Sequence, residues 1–520
     1  MNYNSGRCLV HNLIEFLEQT CKINGDHPAV EAEDGSLSFT GLRDASLRIG
    51  GYIASIRGCC CENKMVAVYL PKGVKCLCAM LGVLYSGNVY VPMDCRAPVN
   101  RTKLIFDIID PLLIITDSAG KKLLTDAGLK AEVLAEYDDI LSLEQGINDS
   151  LTDKVISSVQ GDDPAYVLFT SGSTGVPKGV LIPHRRVINY IEWARNYFAI
   201  SDSEIIGNQA PFYFTVSVMD IYLSLATGSK LCIIPESLFS KPDKLLEYVG
   251  EKKLSLIFWV SSVYHHIAQS GALDRVRPAP LKRAWFVGEP MAAQSLHYWK
   301  EHLPDAEFAN LYGSTETDMT ICYRITDDFT EMDSVPLGRP CANSEILLFD
   351  DEFNLVEEPG RLGEICVRGP CLALGYYNDA EKTQASFIQN PLHNDSRDLV
   401  YRTGDLGEYR DGLIFFRGRK DHQFKHLGYR IEAGEIEAIA MGFSGVRNAC
   451  VVYDGDKRQI VLFYEAGGDI DERGYRRALM ADLPVYMVPT RFVRLDAMPF
   501  NANNKKDRIL LKKQYIEGGC

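Results

Sequence analysis

Residues 166–180, YVLFTSGSTGVPKGV, have the composition of a polyphosphate-binding loop. An apolar strand pattern ends there in a run of hydroxyl-bearing residues and glycines, which a lysine follows. Glycines let the backbone approach an anion closely, successive backbone N–H groups form an anion-binding concavity, and hydroxyls and a lysine add donors and charge. The contacts predicted in this loop are Thr170, Ser171, Gly172, Ser173, Thr174, Gly175 and Lys178.

The loop differs from a Walker A loop, in which Gly-Lys is followed by Ser or Thr at the start of a helix. Here Lys178 is followed by Gly179 and by a second apolar stretch at 180–183. A polar surface turn is the alternative that this segment alone leaves open.

Strand and helix patterns alternate around the loop. Residues 65–70 and 89–93 are predicted strands, and residues 74–85 between them a buried helix. Further strands are predicted at 112–116, 165–170, 230–234, 254–260 and 281–287. This β-α-β order favours a largely parallel sheet with helices on both faces, so the predicted fold class is layered α/β.

The pattern changes from about residue 337. Glycine-bounded runs at 363–369 and 412–418 are typical of antiparallel strands and turns, and they predict a β-rich subdomain. Beyond it, the sequence predicts an α+β domain with helices at 434–441 and 473–483 and strands at 450–453 and 459–465. We therefore predict a large N-terminal domain over 1–420 and a small C-terminal domain over 421–520.

Composition and charge exclude several classes of protein. The 520 residues are 46% hydrophobic and 24% charged, as in globular proteins. Lys plus Arg number 55 against 69 Asp plus Glu, and the net charge of −14 opposes binding to nucleic acid or to anionic lipid. The 15 cysteines lack disulfide or zinc spacing, and the N-terminus lacks the layout of a signal peptide or membrane span. We expect a cytoplasmic monomer without nucleic-acid or membrane partners.

The loop is one of several motifs that resemble, in sequence and in order along the chain, those of the adenylate-forming superfamily. This superfamily includes acyl-CoA synthetases, luciferases and nonribosomal peptide adenylation domains. The other motifs are NQAPFYFTVSVMD at 208–220, LYGSTE at 311–316, GEICVRG at 363–369, YRTGD at 401–405, GRKD at 418–421, GYRI at 428–431 and NNKKDR at 503–508. Residues 208–220 and 286–289 are most similar to the D-alanine:carrier-protein ligase branch. The resemblance implies that a carboxylate attacks the α-phosphorus of Mg-ATP to form an acyl-adenylate and pyrophosphate, and that a thiol then attacks the acyl-adenylate.

The resemblance implies roles for matched residues in nucleotide binding. Glu316 resembles the Mg²⁺ ligand of the family. A carboxylate suits this role, since a hard cation prefers carboxylate and phosphate oxygens. Asp405 would accept hydrogen bonds from the ribose hydroxyls, and Arg419 would contact the same nucleotide. The adenine would stack on Tyr312, in the turn made by Tyr312, Gly313, Ser314 and Thr315. ATP and Mg²⁺ are therefore the expected cofactors.

The near-terminal lysine of the family would bridge the substrate carboxylate and the ribose-phosphate oxygens, a task suited to a compact ammonium group. Lys505 matches it, although the neighbouring Lys506 is a rival for this role. The predicted catalytic residues are Thr174, Lys178, Glu316 and Lys505. Asp421 matches the hinge at which the small domain of the family rotates.

Thr215 decides which acid we expect. Amino-acid-activating relatives have an aspartate at this position, which pairs with the α-ammonium of the substrate, and a threonine hydroxyl cannot neutralise a buried ammonium. Asp220 does not replace that aspartate, because relatives that keep the pairing residue are also acidic there. The acid pocket implied by the resemblance is uncharged and bulky, and comprises Phe214, Thr215, Val216, Met219, Phe258, Trp285, Val287, Gly288, Leu311, Met319 and Thr320.

We therefore expect a carboxylic acid without a normal α-ammonium, such as an aryl, short alkyl, hydroxy or keto acid. Asp318 keeps a β-amino acid open, and ordinary core packing is the alternative for Phe258 and Trp285.

The sequence contains no carrier or thioesterase motif, so the thiol must come from another molecule. Similarity to the D-alanine ligase branch favours the phosphopantetheine thiol of a separate carrier protein. The alternatives are a D-alanine-like amino-acid ligase, an acyl-CoA synthetase that uses coenzyme A, and a catalytically silent nucleotide- or acyl-binding relative.

Overall fold

The computed structural model describes residues 10–56, 60–143, 149–172, 175–325, 335–342, 344–455, 457–500 and 506–516. The helices are α1 Ile14–Asn24, α2 Phe39–Ser55, α3 Val74–Tyr85, α4 Val99–Ile109, α5 Ser118–Asp126, α6 Tyr137–Ser142, α7 Asp149–Ser158, α8 His184–Tyr197, α9 Val216–Thr227, α10 Pro242–Glu251, α11 Ser261–Ser270, α12 Ala293–His302, α13 Ala380–Ser386, α14 Ala433–Met441, α15 Glu472–Asp482 and α16 Arg508–Ile516. Across the described ranges, no helix combines the length and the apolar character needed to cross a membrane.

The strands are β1 Pro28–Ala32, β2 Gly35–Ser38, β3 Met65–Tyr69, β4 Val89–Pro92, β5 Leu113–Thr116, β6 Leu134–Glu136, β7 Pro164–Thr170, β8 Lys178–Pro183, β9 Ile205–Asn208, β10 Lys230–Ile233, β11 Leu256–Val260, β12 Arg283–Val287, β13 Glu307–Ser314, β14 Asp318–Arg324, β15 Arg339–Pro340, β16 Glu345–Phe349, β17 Gly363–Arg368, β18 Gly375–Tyr376, β19 Phe387–Gln389, β20 Leu399–Arg410, β21 Leu413–Arg419, β22 Gln423–His426, β23 Tyr429–Glu432, β24 Val446–Asp454, β25 Gln459–Ala466 and β26 Arg491–Leu495. Most predicted strands and helices are found within a few residues of their expected ends.

Two large sheets form the layers of the fold. One has the strand order β18-β8-β7-β4-β3-β5-β6, and the other β15-β14-β13-β12-β11-β9-β10-β1-β2. In the second sheet, the neighbours from β13 through to β1 pair in parallel, whereas β14, β15 and β2 pair antiparallel at its ends. Strands such as β3 and β11 are buried along their whole length, as expected for parallel strands covered on both faces. The α/β fold class is confirmed.

Helices α2 and α3 pack closely because glycines occur at their contact. A Cβ atom on Gly82 would lie 2.6 Å from the Cβ of Ile49, and one on Gly50 would lie 2.8 Å from the Cβ of Tyr85. Helix α3 itself is buried on almost every side, which explains the nearly continuous apolar sequence that predicted it.

The C-terminal half contains the smaller sheets. Strands β16, β17, β20, β19 and β21 form the β-rich subdomain expected beyond residue 337. The strand expected at 450–453 is longer than predicted, since β24 spans Val446–Asp454 and pairs along its length with β25. Polar residues at both of its ends hid this length from an argument based on apolar runs.

The chain divides into two compact units. The first comprises Met1–Met93, Pro111–Leu168 and Val180–Gly418, and the second comprises Asp94–Asp110, Phe169–Gly179 and Arg419–Cys520. The predicted domains had a single boundary after residue 420. The second unit additionally contains α4 and the predicted phosphate loop, and its main core lies among α14, α15, β24 and β25.

Candidate active site

The turn between β13 and β14 carries several predicted nucleotide contacts in the first unit. Only glycine fits at Gly313, because a Cβ there would lie 1.6 Å from the carbonyl oxygen of Asp318. Just before it, the Tyr312 hydroxyl donates to Oδ2 of Asp405 at 2.5 Å. The structure therefore brings together the predicted adenine-stacking ring and the predicted ribose-binding carboxylate, and both side chains are largely buried.

Glu316 lies in the same turn and is only 1% exposed. Its Oε1 accepts a hydrogen bond from the Tyr376 hydroxyl at 2.9 Å, and its backbone oxygen accepts one from the N–H of Ala373, also at 2.9 Å. Sequence reasoning missed Tyr376, which belongs to the short strand β18. No local pattern distinguishes a tyrosine that will meet a carboxylate 60 positions away.

The donor set fits a magnesium ion that takes most of its ligands from elsewhere. Across the described ranges, no three His, Cys, Asp or Glu side chains cluster as a metal cage. Glu316 offers one oriented carboxylate. Mg²⁺ commonly takes one or two carboxylates and completes its octahedron with phosphate oxygens and water, so this single oxygen ligand suits an ion that arrives with a nucleotide.

Thr215 and Thr315 connect the predicted acid pocket to this turn. The Thr215 hydroxyl, just before α9, donates to Oγ1 of Thr315 at 3.0 Å. Thr315 immediately precedes Glu316, so the N-terminal end of α9 lies next to the turn with the predicted metal ligand.

Several apolar residues predicted for the acid pocket lie on neighbouring strands. Strand register places Phe258 opposite Trp285 on β11 and β12, and Val287 opposite Leu311 on β12 and β13. Seven of the predicted residues belong to a single buried cluster, against which Phe214 packs, namely Val216, Met219, Phe258, Trp285, Val287, Leu311 and Met319. Their sequence neighbours Trp259 and Phe286 face the opposite core. Successive side chains of a strand point to opposite faces of the sheet, so neighbouring residues belong to two different cores.

Gly288 and Thr320 are the remaining residues of the predicted set. Gly288 follows β12 with φ of +99°, a left-handed conformation that favours glycine. Thr320 is fully buried, and its hydroxyl has no hydrogen-bond partner among the described residues.

Arg186 is a buried residue that sequence reasoning did not identify. It lies on α8 with no exposed surface, its Nε is 3.0 Å from Oδ2 of Asp318, and its Nη2 donates to the backbone oxygen of Thr315 at 2.8 Å. The Arg186–Asp318 contact is an ion pair, and neither Arg186 Nε nor the Asp318 carboxylate oxygens make a hydrogen bond among the described residues. Burial raises the pKa of Asp318, although Arg186 opposes that rise. Arg186 thus supports the turn that carries Glu316.

In the second unit, the phosphate loop contacts residues of β23 and α14. Ser171 Oγ donates to the backbone oxygen of Arg430 at 2.9 Å, and the Gly172 N–H donates to Oε2 of Glu435 at 3.1 Å. Lys178 Nζ lies 2.9 Å from Oε1 of Glu432. Thr170 ends β7, and Gly175 adopts φ of +86°. The predicted contacts Ser173 and Thr174 lie outside the described residues.

Arg419 and Asp421 form a forked ion pair in the second unit, with Nε and Nη2 at 2.6 and 2.7 Å from the two carboxylate oxygens. Although burial opposes ionisation, Arg419 holds the pKa of Asp421 below its ordinary value. The predicted nucleotide contact and the predicted hinge residue are therefore directly paired.

The two rival lysines differ in what the structure describes. Lys505 lies outside the described residues. Lys506 Nζ donates to the backbone oxygen of Ala449 at 2.5 Å and lies 3.4 Å from Oε2 of Glu437.

The chain is similar to known proteins over most of its length. The profile of the AMP-binding enzyme family matches residues 17–377. An L-proline–[L-prolyl-carrier protein] ligase of Streptomyces coelicolor is 33% identical over 465 residues, which cover 85% of this chain and 86% of that protein. Zwittermicin A synthase ZmaJ of Bacillus cereus is 32% identical, over 95% of this chain and 93% of that protein.

Among solved structures, the fold is shared with the Vibrio cholerae adenylation domain AlmE in complex with glycyl-adenosine-5′-phosphate. The TM-score is 0.84 at 21% identity, over 99% of this chain and all of that one (100%). The family profile and the two relatives confirm the resemblance inferred from the ordered motifs. Because the family profile matches more than half of the chain and full-length relatives exceed 30% identity, the chain belongs to the AMP-binding enzyme family and is an ATP-dependent, AMP-forming ligase.

Proposed function

We propose that the protein activates a carboxylic acid as its acyl-adenylate and transfers the acyl group to the phosphopantetheine thiol of a separate carrier protein. In the first step, a carboxylate oxygen bonds to the α-phosphorus of ATP and pyrophosphate leaves. In the second, the thiol sulfur attacks the acyl carbon and AMP leaves. The carrier-protein ligases among the relatives support this acceptor.

The observation that carries the proposal is the hydrogen bond between Thr215 and Thr315. It joins the start of the predicted acid pocket to the turn with Glu316, so a bound acid would present its carboxylate near the phosphates of a nucleotide held by that turn. Holding two reactants in this way accounts for much of the rate gain in adenylation, because phosphoryl transfer needs positioning and charge neutralisation more than a protein nucleophile.

Each polar group has a part in this scheme. In the first unit, Asp405 and Tyr312 would orient the nucleoside. In the second unit, the phosphate loop carries the Gly172 N–H and the Lys178 ammonium, which are donors of the kind that phosphates accept. Glu316 would hold Mg²⁺, which when bound neutralises charge on the phosphate oxygens. Tyr376 orients the Glu316 carboxylate through its hydroxyl.

The charge state around the pocket supports an acid without an α-ammonium. Thr215 occupies the position at which a substrate with an α-ammonium would need an anionic partner. Asp220 has no exposed surface, accepts a hydrogen bond from Asn208, and burial raises its pKa to about 8, so its environment disfavours the charged form. The charge of Asp318 is already matched by Arg186. We therefore favour an aryl, short alkyl, hydroxy or keto acid, and an ammonium in this pocket would be unpaired.

The second candidate is an amino-acid carrier-protein ligase. It is favoured by the L-proline ligases that match most of the chain. A β-amino acid stays within this candidate, since Asp318 lies next to Met319 of the predicted pocket.

A panel of acids separates the two candidates. Pyrophosphate exchange into ATP is measured with aryl, alkyl, hydroxy, keto, β-amino and proteinogenic α-amino acids, and the acyl-adenylate is identified by mass spectrometry. We expect acids without an α-ammonium to dominate, and Thr215→Asp to raise exchange with α-amino acids. Dominance of L-proline or another α-amino acid in the wild-type protein would refute the Thr215 argument.

The acceptor is tested separately. The acyl-adenylate is offered to phosphopantetheinylated carrier proteins and to free coenzyme A, and thioesters are detected by intact-protein and small-molecule mass spectrometry. We expect acyl-carrier thioesters. Acyl-coenzyme A as the main product would favour an acyl-CoA synthetase instead.

A further inference from the structure

Two carboxylates of the second unit engage the donors predicted for the phosphates of ATP. Glu435 accepts the Gly172 N–H through Oε2 at 3.1 Å, and Glu432 accepts from the Lys178 ammonium through Oε1 at 2.9 Å. Both carboxylates are nearly inaccessible, with side-chain exposures of 0% for Glu435 and 8% for Glu432. A backbone N–H and a buried lysine are the groups that a loop of this composition offers to an anion.

Other contacts within the second unit fix the positions of these two carboxylates. The other oxygen of Glu435 pairs with Arg101 on α4. Glu432 begins the turn into α14, and its N–H lies 3.2 Å from Ser171 Oγ. Three residues of the loop, Ser171, Gly172 and Lys178, are thus bound to one short segment, 430–435, of the same unit.

Gln423 connects Glu432 to the predicted hinge. Its amide nitrogen donates to Oε1 of Glu432, and its amide oxygen accepts from Arg419 Nη2 at 2.8 Å. Arg419 is in turn forked onto Asp421. A continuous hydrogen-bonded chain therefore runs from the hinge residue to the lysine of the phosphate loop.

We propose that Glu432 and Glu435 act as internal anions that hold the phosphate loop, so that ATP must displace them from Lys178 and Gly172 in order to bind. The single N–H of Gly172 cannot serve Glu435 and a phosphate oxygen at the same time. The ammonium of Lys178 has three N–H groups, so there Glu432 competes chiefly by neutralising the positive charge that a phosphate would use. The inference rests on the proposed function, in which this loop binds ATP, and adds that two carboxylates of the protein compete with ATP for the loop. Removing a competing charge should tighten ATP binding, whereas a merely structural carboxylate would leave binding unchanged or weaken it.

The test is a calorimetric titration of the full chain with Mg-ATP, without any carboxylic acid substrate, which gives the ATP dissociation constant. The variants are Glu432→Gln, Glu435→Gln and Gln423→Leu, and the control is Glu472→Gln, an exposed glutamate of the same unit on α15. We expect Glu432→Gln to lower the ATP dissociation constant about 3- to 10-fold, as for the loss of a partly buried charged hydrogen bond. Gln423→Leu should act in the same direction by a smaller factor, and Glu472→Gln should have no effect.

Melting midpoints are recorded for each variant, because Glu435→Gln leaves Arg101 without its carboxylate. If Glu432→Gln is destabilised, the ATP dissociation constant of Gln423→Leu decides whether the inference holds, because that variant keeps the charges of Glu432 and Lys178. Unchanged or weaker ATP binding in a stably folded Glu432→Gln, together with normal pyrophosphate exchange, overturns this inference alone. Absence of both ATP binding and exchange in every variant overturns the proposed function, and this inference with it.

Discussion

The two neighbouring lysines near the C-terminus should separate catalysis from stability. Lys506 is already engaged: its ammonium donates to the Ala449 carbonyl at 2.5 Å and lies 3.4 Å from the Glu437 carboxylate. About a fifth of its side chain is exposed (21%). These contacts belong to the packing of β24 and α14, so Lys506 is not available as a mobile cation, and we predict that Lys505 is the catalytic lysine.

The magnitudes follow from the contacts. Arg508 donates to the other oxygen of Glu437 at 2.5 Å, so Lys506→Ala leaves the carboxylate with one cation and costs about 1 kcal/mol of folding free energy. Its effect on the adenylation rate should stay within about threefold. Lys505→Ala removes positive charge from the reacting oxygens and should slow adenylation by about 10²- to 10³-fold, as when one preorganised electrostatic contact is lost, with the fold intact.

The assay is the initial rate of pyrophosphate exchange at saturating acid, with urea unfolding of each variant as the stability measurement. Lys506→Arg is a matched control that keeps the charge. The reasoning is refuted if Lys505→Ala exchanges at a near-normal rate. It is equally refuted if Lys506→Ala loses 100-fold or more while its unfolding midpoint is that of the wild type.

Three further predictions concern charge and the hinge. Burial raises the pKa of Asp220 to about 8 from about 3.9 in the unfolded chain, so the folded protein keeps a proton that the unfolded chain releases. Stability should therefore fall as the pH rises from about 4 to 8, by at most about 1.4 kcal/mol per pH unit, and Asp220→Asn should flatten that slope in urea midpoints measured from pH 6 to 9. Arg186→Met should cost about 3–5 kcal/mol in chemical unfolding, because it leaves the Asp318 carboxylate buried and unpaired; the double variant with Asp318→Asn, which removes the charge and tolerates the φ of +55° at this position, should recover most of that loss. Asp421→Pro, which fixes φ, should reduce thioester formation more than pyrophosphate exchange, and equal loss of both would contradict a hinge role.

Local sequence predicted the elements well where burial is nearly uniform. Helix α3 was predicted at its observed bounds because almost every one of its residues is apolar and buried. The loop glycines, the turn at Gly313 and the order of the motifs were equally visible, since each reflects a backbone requirement or a chemical group within a few residues. These features were sufficient to identify the family.

The sequence by itself therefore determined the α/β class and the ordered motifs, and it predicted the groups that would meet ATP and an acid. Only the tertiary structure decided which charged groups neutralise one another. Arg186 reaches Asp318 and Tyr376 reaches Glu316, while Lys178 pairs with Glu432 more than 250 positions away. Periodicity encodes which face of an element is buried, but a pairing between distant side chains depends on how sheets and helices pack, and that packing sets the burial, the pKa and the availability of each charge.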